Sequence, residues 1–398
     1  MTLLYKTVNA LLMALCVTGH AAAGIFLTNT RLLGLRETEG KLFILLGNMA
    51  AWPLLGLAQA LRAGGFSGYT LSLLRPGSFA WLWRVAFTLL GARWLAQEAY
   101  RLRHPRPNPP ELLSTQVESM DMRREITEFE GKAWYGLKGI SHRLNEIYAL
   151  EVVTHEIKLD RLPEEFDGFT ILQISDVHYA QFLSAEYVRR YVDLCINLSP
   201  DLIVLTGDYQ TYPEDVECAA HLLSPLGEWS RRERGGMGTL AVMGNHDRDA
   251  GVAAVSQALR RAGIKVLNNE HIRLARDGAS LYIAGVADPW GLKADLPLAL
   301  HGIPAGSCTI LLAHVPDFLV TAAGKSVDLQ LSGHNHGGQV KLPVLGPVLV
   351  SSRYGRRYAG GFHKMNGTLM YASRGLGGKP PIRFGCKGEI TRFLLRKF

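Results

Sequence analysis

An α/β layered domain is predicted for the C-terminal part of this sequence by three features. Beyond residue 150 the chain breaks into short apolar runs of a length that suits buried strands. Several of these runs end on a polar residue, and a helix signal separates the first two. Strands that alternate with helices build layered α/β folds.

The elements can be taken in order from the N-terminus. Residues 8–28 and 42–61 contain no formal charge, and each approaches the ~20 residues needed to cross a hydrocarbon core. A third run, 77–98, carries Arg84 and Arg93, so it is expected either to cross with its arginines snorkelling or to lie in the interface. A membrane region over 1–100 with two or three transmembrane helices is therefore expected. Lys6, a short apolar stretch and Ala21-Ala22-Ala23 also fit a cleaved signal peptide, but the second apolar run follows too soon for that reading to be preferred.

Charge points the same way. Of the net +8, residues 1–113 hold an excess of seven, eleven Lys or Arg against four acids, and the rest is close to neutral. Basic residues interleaved with apolar runs suit anionic membrane lipids better than a nucleic-acid face, so lipids are expected as partners and nucleic acid is not. Either count of crossings leaves the richer positive side with the C-terminal domain, which places that domain on the cytoplasmic side of a cell inner membrane. The five cysteines are far apart and form no CxxC pair; they read as buried small hydrophobes in a reducing compartment. Nothing in the sequence speaks to oligomeric state.

Residues 101–110, RLRHPRPNPP, cannot continue a helix and read as a stiff linker, set at 101–118, with the second domain at 119–398. Between 120 and 150, Ile126, Phe129, Ala133, Leu137, Ile140, Leu144 and Ile147 recur at helical spacing, weakened by Gly131, Gly136 and Gly139. A helix covering the core is preferred there to one lying on a membrane. Buried strands are then expected in 169–176 (FTILQISD), 201–208 (DLIVLTGD), 238–245 (GTLAVMGN), 308–314 (CTILLAH) and 327–334 (VDLQLSGH). Between the first two, Ser184 reads as the N-cap of a helix with Tyr187, Val188, Tyr191 and Leu194 behind it.

Each of these strands delivers polar groups at its carboxyl end, where ligands collect in sheets of this kind. The groups are Asp176 with His178, Asp208, Asn245 with His246 and Asp247, His314, and His334 with His336. Carboxylates, imidazoles and one amide together suit Mn²⁺, Fe²⁺ or Zn²⁺. Singly each motif is weak, since an Asp at a strand end more often caps the next helix and Gly-Asn-His-Asp or Gly-His-Asn-His can be a hydrogen-bonded turn. Their order, each after its own buried strand, is what coincidence does not easily supply.

With Asp176-Val-His178, Gly207-Asp208, Gly244-Asn-His-Asp247, His314 and Gly333-His-Asn-His336 in that order, the chain resembles the calcineurin-like metallophosphoesterases over residues 150–398. The resemblance implies a layered β-sandwich flanked by helices and a metal-dependent phosphoester hydrolase using two divalent cations, Mn²⁺ first among them. It implies that Asp176, His178, Asp208 and His336 hold one cation and Asp208, Asn245, His314 and His334 the other. A shared carboxylate agrees with the repulsion between two cations held ~3.5–4 Å apart. His246 resembles the residue that protonates the leaving oxygen as general acid or stabilises the transition state, with Asp247 orienting its ring. Leu162-Pro163, Phe166-Asp-Gly168, the extended Gly333–Gln339 run and Ser373-Arg-Gly-Leu-Gly377 are similar to a membrane-anchored bacterial branch. That branch includes an alternative UDP-2,3-diacylglucosamine pyrophosphatase of lipid A synthesis.

Residues 341–363 mix apolar side chains with Arg353, Arg356 and Arg357, a pairing that a lipid-linked diphosphate would need; a solvated basic hairpin is the plainer alternative. The substrate expected is a phosphodiester or pyrophosphate, such as a UDP-linked glycolipid at the membrane surface. A soluble nucleotide-type substrate and a non-catalytic metal-holding membrane protein are the competing readings, and His246 beside a full ligand set counts against the last.

Overall fold

The computed structural model describes residues 79–103, 107–122, 145–179, 183–233, 238–343, 346–348, 350–378 and 382–397. Two compact units divide the chain: residues 1–107 with 343–349, and residues 108–342 with 350–398.

In the first unit the described secondary structure includes a helix, α1 (Phe79–Arg103), and a two-residue strand, Gly346–Pro347. Among the described residues no helix is long and apolar enough to cross a membrane. The physical reason is visible in α1, where Arg84, Arg93, Glu98, Arg101 and Arg103 interrupt the apolar sequence. This overturns the expected multi-pass inner-membrane protein with its catalytic domain on the cytoplasmic side. The apolar runs 8–28 and 42–61 lie outside the described residues.

Most of the stretch read as a linker is the end of α1 or the strand β1 (Leu112–Asp121), which pairs antiparallel with β2 (Ala149–Lys158). Of the helix expected over 120–150, residues 123–144 lie outside the described set, while Ile147 is a buried turn residue just before β2.

Two sheets carry the unit. The first has seven strands in the order β1-β2-β15-β3-β4-β5-β6, with β3 (Thr170–Ile174), β4 (Leu202–Leu205), β5 (Thr239–Ala241) and β6 (Ile264–Val266) all parallel. β3, β4 and β5 are buried along their whole length, as near-continuous apolar runs in covered parallel sheets are. β15 (Gly388–Arg396) comes from the end of the chain and inserts between β2 and β3, parallel to one and antiparallel to the other.

The second sheet runs β13-β14-β10-β9-β8-β7. Its parallel centre is β8 (Ala279–Gly285), β9 (Thr309–Leu312), β10 (Leu329–Ser332) and β14 (Thr368–Ala372). β7 (Glu270–Arg276) and β13 (Gly361–Met365) close its edges antiparallel. A short strand, β11 (Lys341–Leu342), lies outside both sheets.

The layers follow from which faces are apolar. Ile171, Val204 and Leu240 from the first sheet meet Leu281, Ile310, Leu312 and Leu331 from the second in one buried cluster, the filling of a sandwich. On the outer face of the first sheet, Leu172, Ile203 and Leu205 pack on α2 (Ala185–Asn197), α3 (Val216–Glu233) and α4 (Asn245–Arg261). Ser184 caps α2 as expected, its hydroxyl accepting from the Tyr187 amide, and Tyr187, Val188 and Tyr191 are buried below it. α5 (Leu296–Leu300) and α6 (Leu319–Ala322) cover the second sheet through Ala284, Leu311 and Ala313. Each fully buried aliphatic side chain contributes roughly 1.5–3 kcal/mol, so both sheets have ample reason to stay closed. The carboxyl ends of β3, β4, β5, β9 and β10 open on one place.

Candidate metal centre

The five strand tips converge. Asp176 and His178 follow β3, Asp208 follows β4, Asn245 and His246 begin α4 just after β5, His314 follows β9, and His334 and His336 follow β10. Their backbone is bent to suit: Asp176, His178, Asp208, His334 and His336 all have φ between 47° and 71°. Such conformations cost on the order of 1–3 kcal/mol each and persist only where the surroundings impose them. Glycines in the motifs let the tips close up. A Cβ on Gly244 would lie 2.1 Å from Asp208 Oδ1, and one on Gly333 would lie 1.9 Å from Ser175 Oγ.

Donor atoms gather in two adjoining sets. In the first, His336 Nε2 lies 3.7 Å from Asp176 Oδ1 and His178 Nε2 lies 3.7 Å from Asp208 Oδ2. In the second, His314 Nε2 is 3.2 Å from Asp208 Oδ2, 3.3 Å from Asn245 Oδ1 and 3.2 Å from His334 Nδ1. Donors this close can all sit about 2 Å from one common point, the bonding distance of a small divalent cation. Asp208 belongs to both sets; the groups Asp176–His178–His336 and Asp208–His314–His334 are each able to hold an ion, and so is His178–Asp208–His246, which shares its first two members with them.

Backbone carbonyls settle which imidazole nitrogen faces inward. His314 Nδ1 donates to Thr206 O at 2.6 Å, and His334 Nε2 donates to Ser351 O at 2.9 Å. Each bond leaves the other nitrogen aimed at the centre as a lone-pair donor. In the first set, His178 Nε2 is buried without a hydrogen-bond partner. An orphaned buried nitrogen is costly, and a cation would satisfy it.

The electrostatics favour cations too. Burial, joined by the neighbouring imidazoles, holds His178 and His334 well below the usual histidine range. His336 is lowered to about 3 by burial, with the Arg383 charge adding to it. Neutral imidazole is the ligating form. Asp208 is held ionised against the effect of burial by His314, His246 and His178 around it. Asp176 is raised to about 6 by burial and, in the same direction, by Asp208, with His314 opposing. His314 is raised to about 10 against the effect of burial, by Asp208 first and then Asp176 and Asp288, so without metal one imidazolium is the counter-charge to two buried carboxylates, and divalent ions would take over that part.

His246 stands at the rim. It is half-buried, its ring centroid lies 4.8 Å from that of His178, and its amide donates to Asp208 Oδ1 at 2.9 Å. Asp247 reaches the backbone of neighbouring tips. Its carboxylate accepts from the amides of Asp208 (2.7 Å), Tyr209 (3.0 Å) and Gly244 (2.8 Å), so it fixes the backbone that carries Asp208. The fully buried side chain is spent on three amides from neighbouring tips.

The basic loop comes next to the second set through Ser351. Asp317 anchors it, accepting from Ser352 Oγ at 2.5 Å and from the Arg353 amide at 2.7 Å. Arg353 and Arg357 are exposed and Arg356 is half-buried, with the Arg357 guanidinium 5.4 Å from the centre of the Tyr358 ring.

Two neighbours escaped the sequence reading. Trp290 packs edge-on against His334 at 4.2 Å between ring centroids, and the fully buried Asp288 accepts from Arg248 Nη1 at 3.0 Å. The signal was present, because LYIAGVAD (281–288) is another apolar run that ends on an acid. Asp288 thereby ties the tip of β8 to the start of α4.

Comparison with known proteins agrees with this geometry. Residues 169–338 match the family described as calcineurin-like phosphoesterase. The chain is 36% identical over 258 residues to the uncharacterized metallophosphoesterase YkuE of Bacillus subtilis, covering 64% of this chain and 88% of that one. It is 32% identical over 228 residues to phosphodiesterase YaeI of Escherichia coli, covering 56% and 80%. A transmembrane protein with metallophosphoesterase domain from Danio rerio is 28% identical over 280 residues, covering 67% and 60%.

Proposed function

Because the chain belongs to the calcineurin-like phosphoesterase family, and is a metal-dependent phosphoester hydrolase, we propose that it is a two-metal phosphodiesterase or pyrophosphatase. The observation that carries this reading is the position of Asp208, whose carboxylate lies between the two sets of imidazoles. Asp176, His178, Asp208 and His336 would hold one cation, and Asp208, Asn245, His314 and His334 the other. The mixed oxygen and imidazole donors favour Mn²⁺, with Fe²⁺ or Zn²⁺ chemically close. When bound, such a pair supplies Lewis acidity for the phosphoryl oxygens and lowers the pKa of water.

The chain's own residues do the rest. His246, at the rim, donates a proton to the leaving oxygen as the ester bond breaks. Asp247 keeps the Asp208 backbone in place. Thr206 O and Ser351 O hold the His314 and His334 rings in the orientation that ligation requires. A lipid-linked diphosphate such as UDP-2,3-diacylglucosamine is the finer form of the proposal, in which Arg353, Arg356 and Arg357 meet the phosphates.

The test uses purified protein with Mn²⁺ on bis-p-nitrophenyl phosphate, p-nitrophenyl phosphate and a UDP-diacyl sugar. Turnover of the diester or the diphosphate over the monoester is expected. Asp208→Ala should abolish it and lower bound Mn²⁺. His246→Ala should lower kcat by ~10²–10⁴ with the metals retained. Equal rates in wild type and Asp208→Ala would refute the assigned site.

A further inference from the structure

The largest fully buried side chain of the described residues is an arginine, Arg383, at 0% exposure. No carboxylate lies in ion-pair reach of it among the described residues. Its guanidinium is spent on carbonyls instead. Nε donates to Gly377 O at 2.9 Å, Nη2 to Arg374 O at 2.7 Å and Gly375 O at 3.1 Å, and Nη1 to Cys386 O at 3.2 Å. A buried cation without a counter-ion is expensive unless every N–H finds an acceptor. Retaining one here calls for a reason beyond packing.

The carbonyls it gathers belong to a loop that leans on the first ligand set. The Leu376 amide donates to Ser175 O at 3.0 Å and the Gly377 amide to Asp176 O at 2.7 Å. The contact is tight, since a Cβ on Gly377 would lie 2.4 Å from Val177 O and 3.1 Å from His178 Cβ. On the other side, Cys386 Sγ donates to His336 O at 3.4 Å. Arg383 therefore reaches the backbone of Asp176 and His336 through one intermediate each, and Gly377 packs closely beside His178; all three ligands have left-handed φ angles. Among the described residues no chain of one intermediate runs from it to Asn245, His314 or His334.

We propose that Arg383 is a positioning residue for the first metal set: by fastening Arg374, Gly375, Gly377 and Cys386 it holds Asp176 and His336 in their strained ligating conformations and keeps Gly377 packed beside His178. The inference rests on the two-metal reading given above. Partners that orient a metal's ligands typically change its affinity by 10–100-fold when removed, and the placement of Arg383 confines that effect to one of the two sites.

The experiment is Mn²⁺ titration of the full-length protein, with bound metal counted by mass spectrometry, for wild type, Arg383→Met and Arg383→Lys. Asp176→Asn and His314→Ala serve as references for loss of the first and second site, and melting temperatures in EDTA report fold stability separately. Arg383→Met is expected to hold about one Mn²⁺ where wild type holds about two. Arg383→Lys, which keeps the charge and loses the fork, is expected to weaken the first site by at least tenfold and leave the second unchanged. Should the Met variant fail to fold, the Lys variant decides. Two ions held with wild-type affinity by the Lys variant, or equal weakening of both sites, overturns the proposal. Wild-type protein that holds no Mn²⁺ overturns the metal reading itself, and this inference with it.

Discussion

The carboxylate of Asp247 accepts a 2.7 Å hydrogen bond from the backbone amide of Asp208, across two strand tips that are adjacent in the sheet. The same group takes the amides of Tyr209 and Gly244. Asp247→Ala would leave three buried donors unpaired, each costing roughly 1–3 kcal/mol. The variant is expected to lose melting temperature and Mn²⁺ affinity together, whereas His246→Ala keeps both near wild type. Thermal denaturation with and without metal separates the two, and an unaltered melting temperature in Asp247→Ala would sink this role.

Metal removal should be felt in stability. Without cations the centre holds two buried carboxylates, an unpartnered imidazole nitrogen and five residues at positive φ. Ligand binding to the folded state alone adds about 2.7 kcal/mol per site at a hundredfold excess over Kd. EDTA is therefore expected to lower the melting temperature and Mn²⁺ to restore it, with a much smaller difference in Asp208→Asn. A melting temperature indifferent to EDTA in metal-loaded wild type would contradict the proposed ligands.

Acid sensitivity is expected from a residue outside the ligand sets. His155 on β2 is buried against Phe362, Tyr371 and Phe393, with Nδ1 2.9 Å from Thr115 Oγ1 and Nε2 unpartnered. Burial, aided by Arg374 and opposed by Glu389, lowers its pKa to about 4. An unfolded histidine titrates near 6.5, so between pH 6.5 and about 4 the unfolded chain binds a proton that the folded one refuses. Stability then falls as pH falls through that window, by up to roughly 1.4 kcal/mol per pH unit. Urea unfolding of metal-free protein at pH 6.5 and 4.5 should show a shallower loss in His155→Gln, and identical losses would refute the assignment.

How much of this was legible depends on the kind of signal. Asp176, His178, Asp208, Asn245, His314, His334 and His336 stand out because each closes an apolar run, and a buried strand must end where its polar residue can reach a ligand or water. The DG at Asp277-Gly278 and the NG at Asn366-Gly367 were equally plain hairpin signals, and both sit at positive φ between antiparallel partners. β15 carried no such cue, since nothing in GEITRFLLR says that the last strand lies between the second and the third.

The sequence by itself determined which chemistry stands at which strand end and in what order, because residue type, apolar run length and motif spacing are local properties. Only the tertiary structure decided what each group faces. Asp247 serves the Asp208 backbone, Arg383 holds carbonyls beneath Asp176, and Trp290 backs His334. These partners lie tens to over two hundred residues apart in the chain, and backbone pairing and burial in the folded sheets bring them together. Hydrogen bonds of a few ångströms depend on that closure and leave no periodicity in the chain to read.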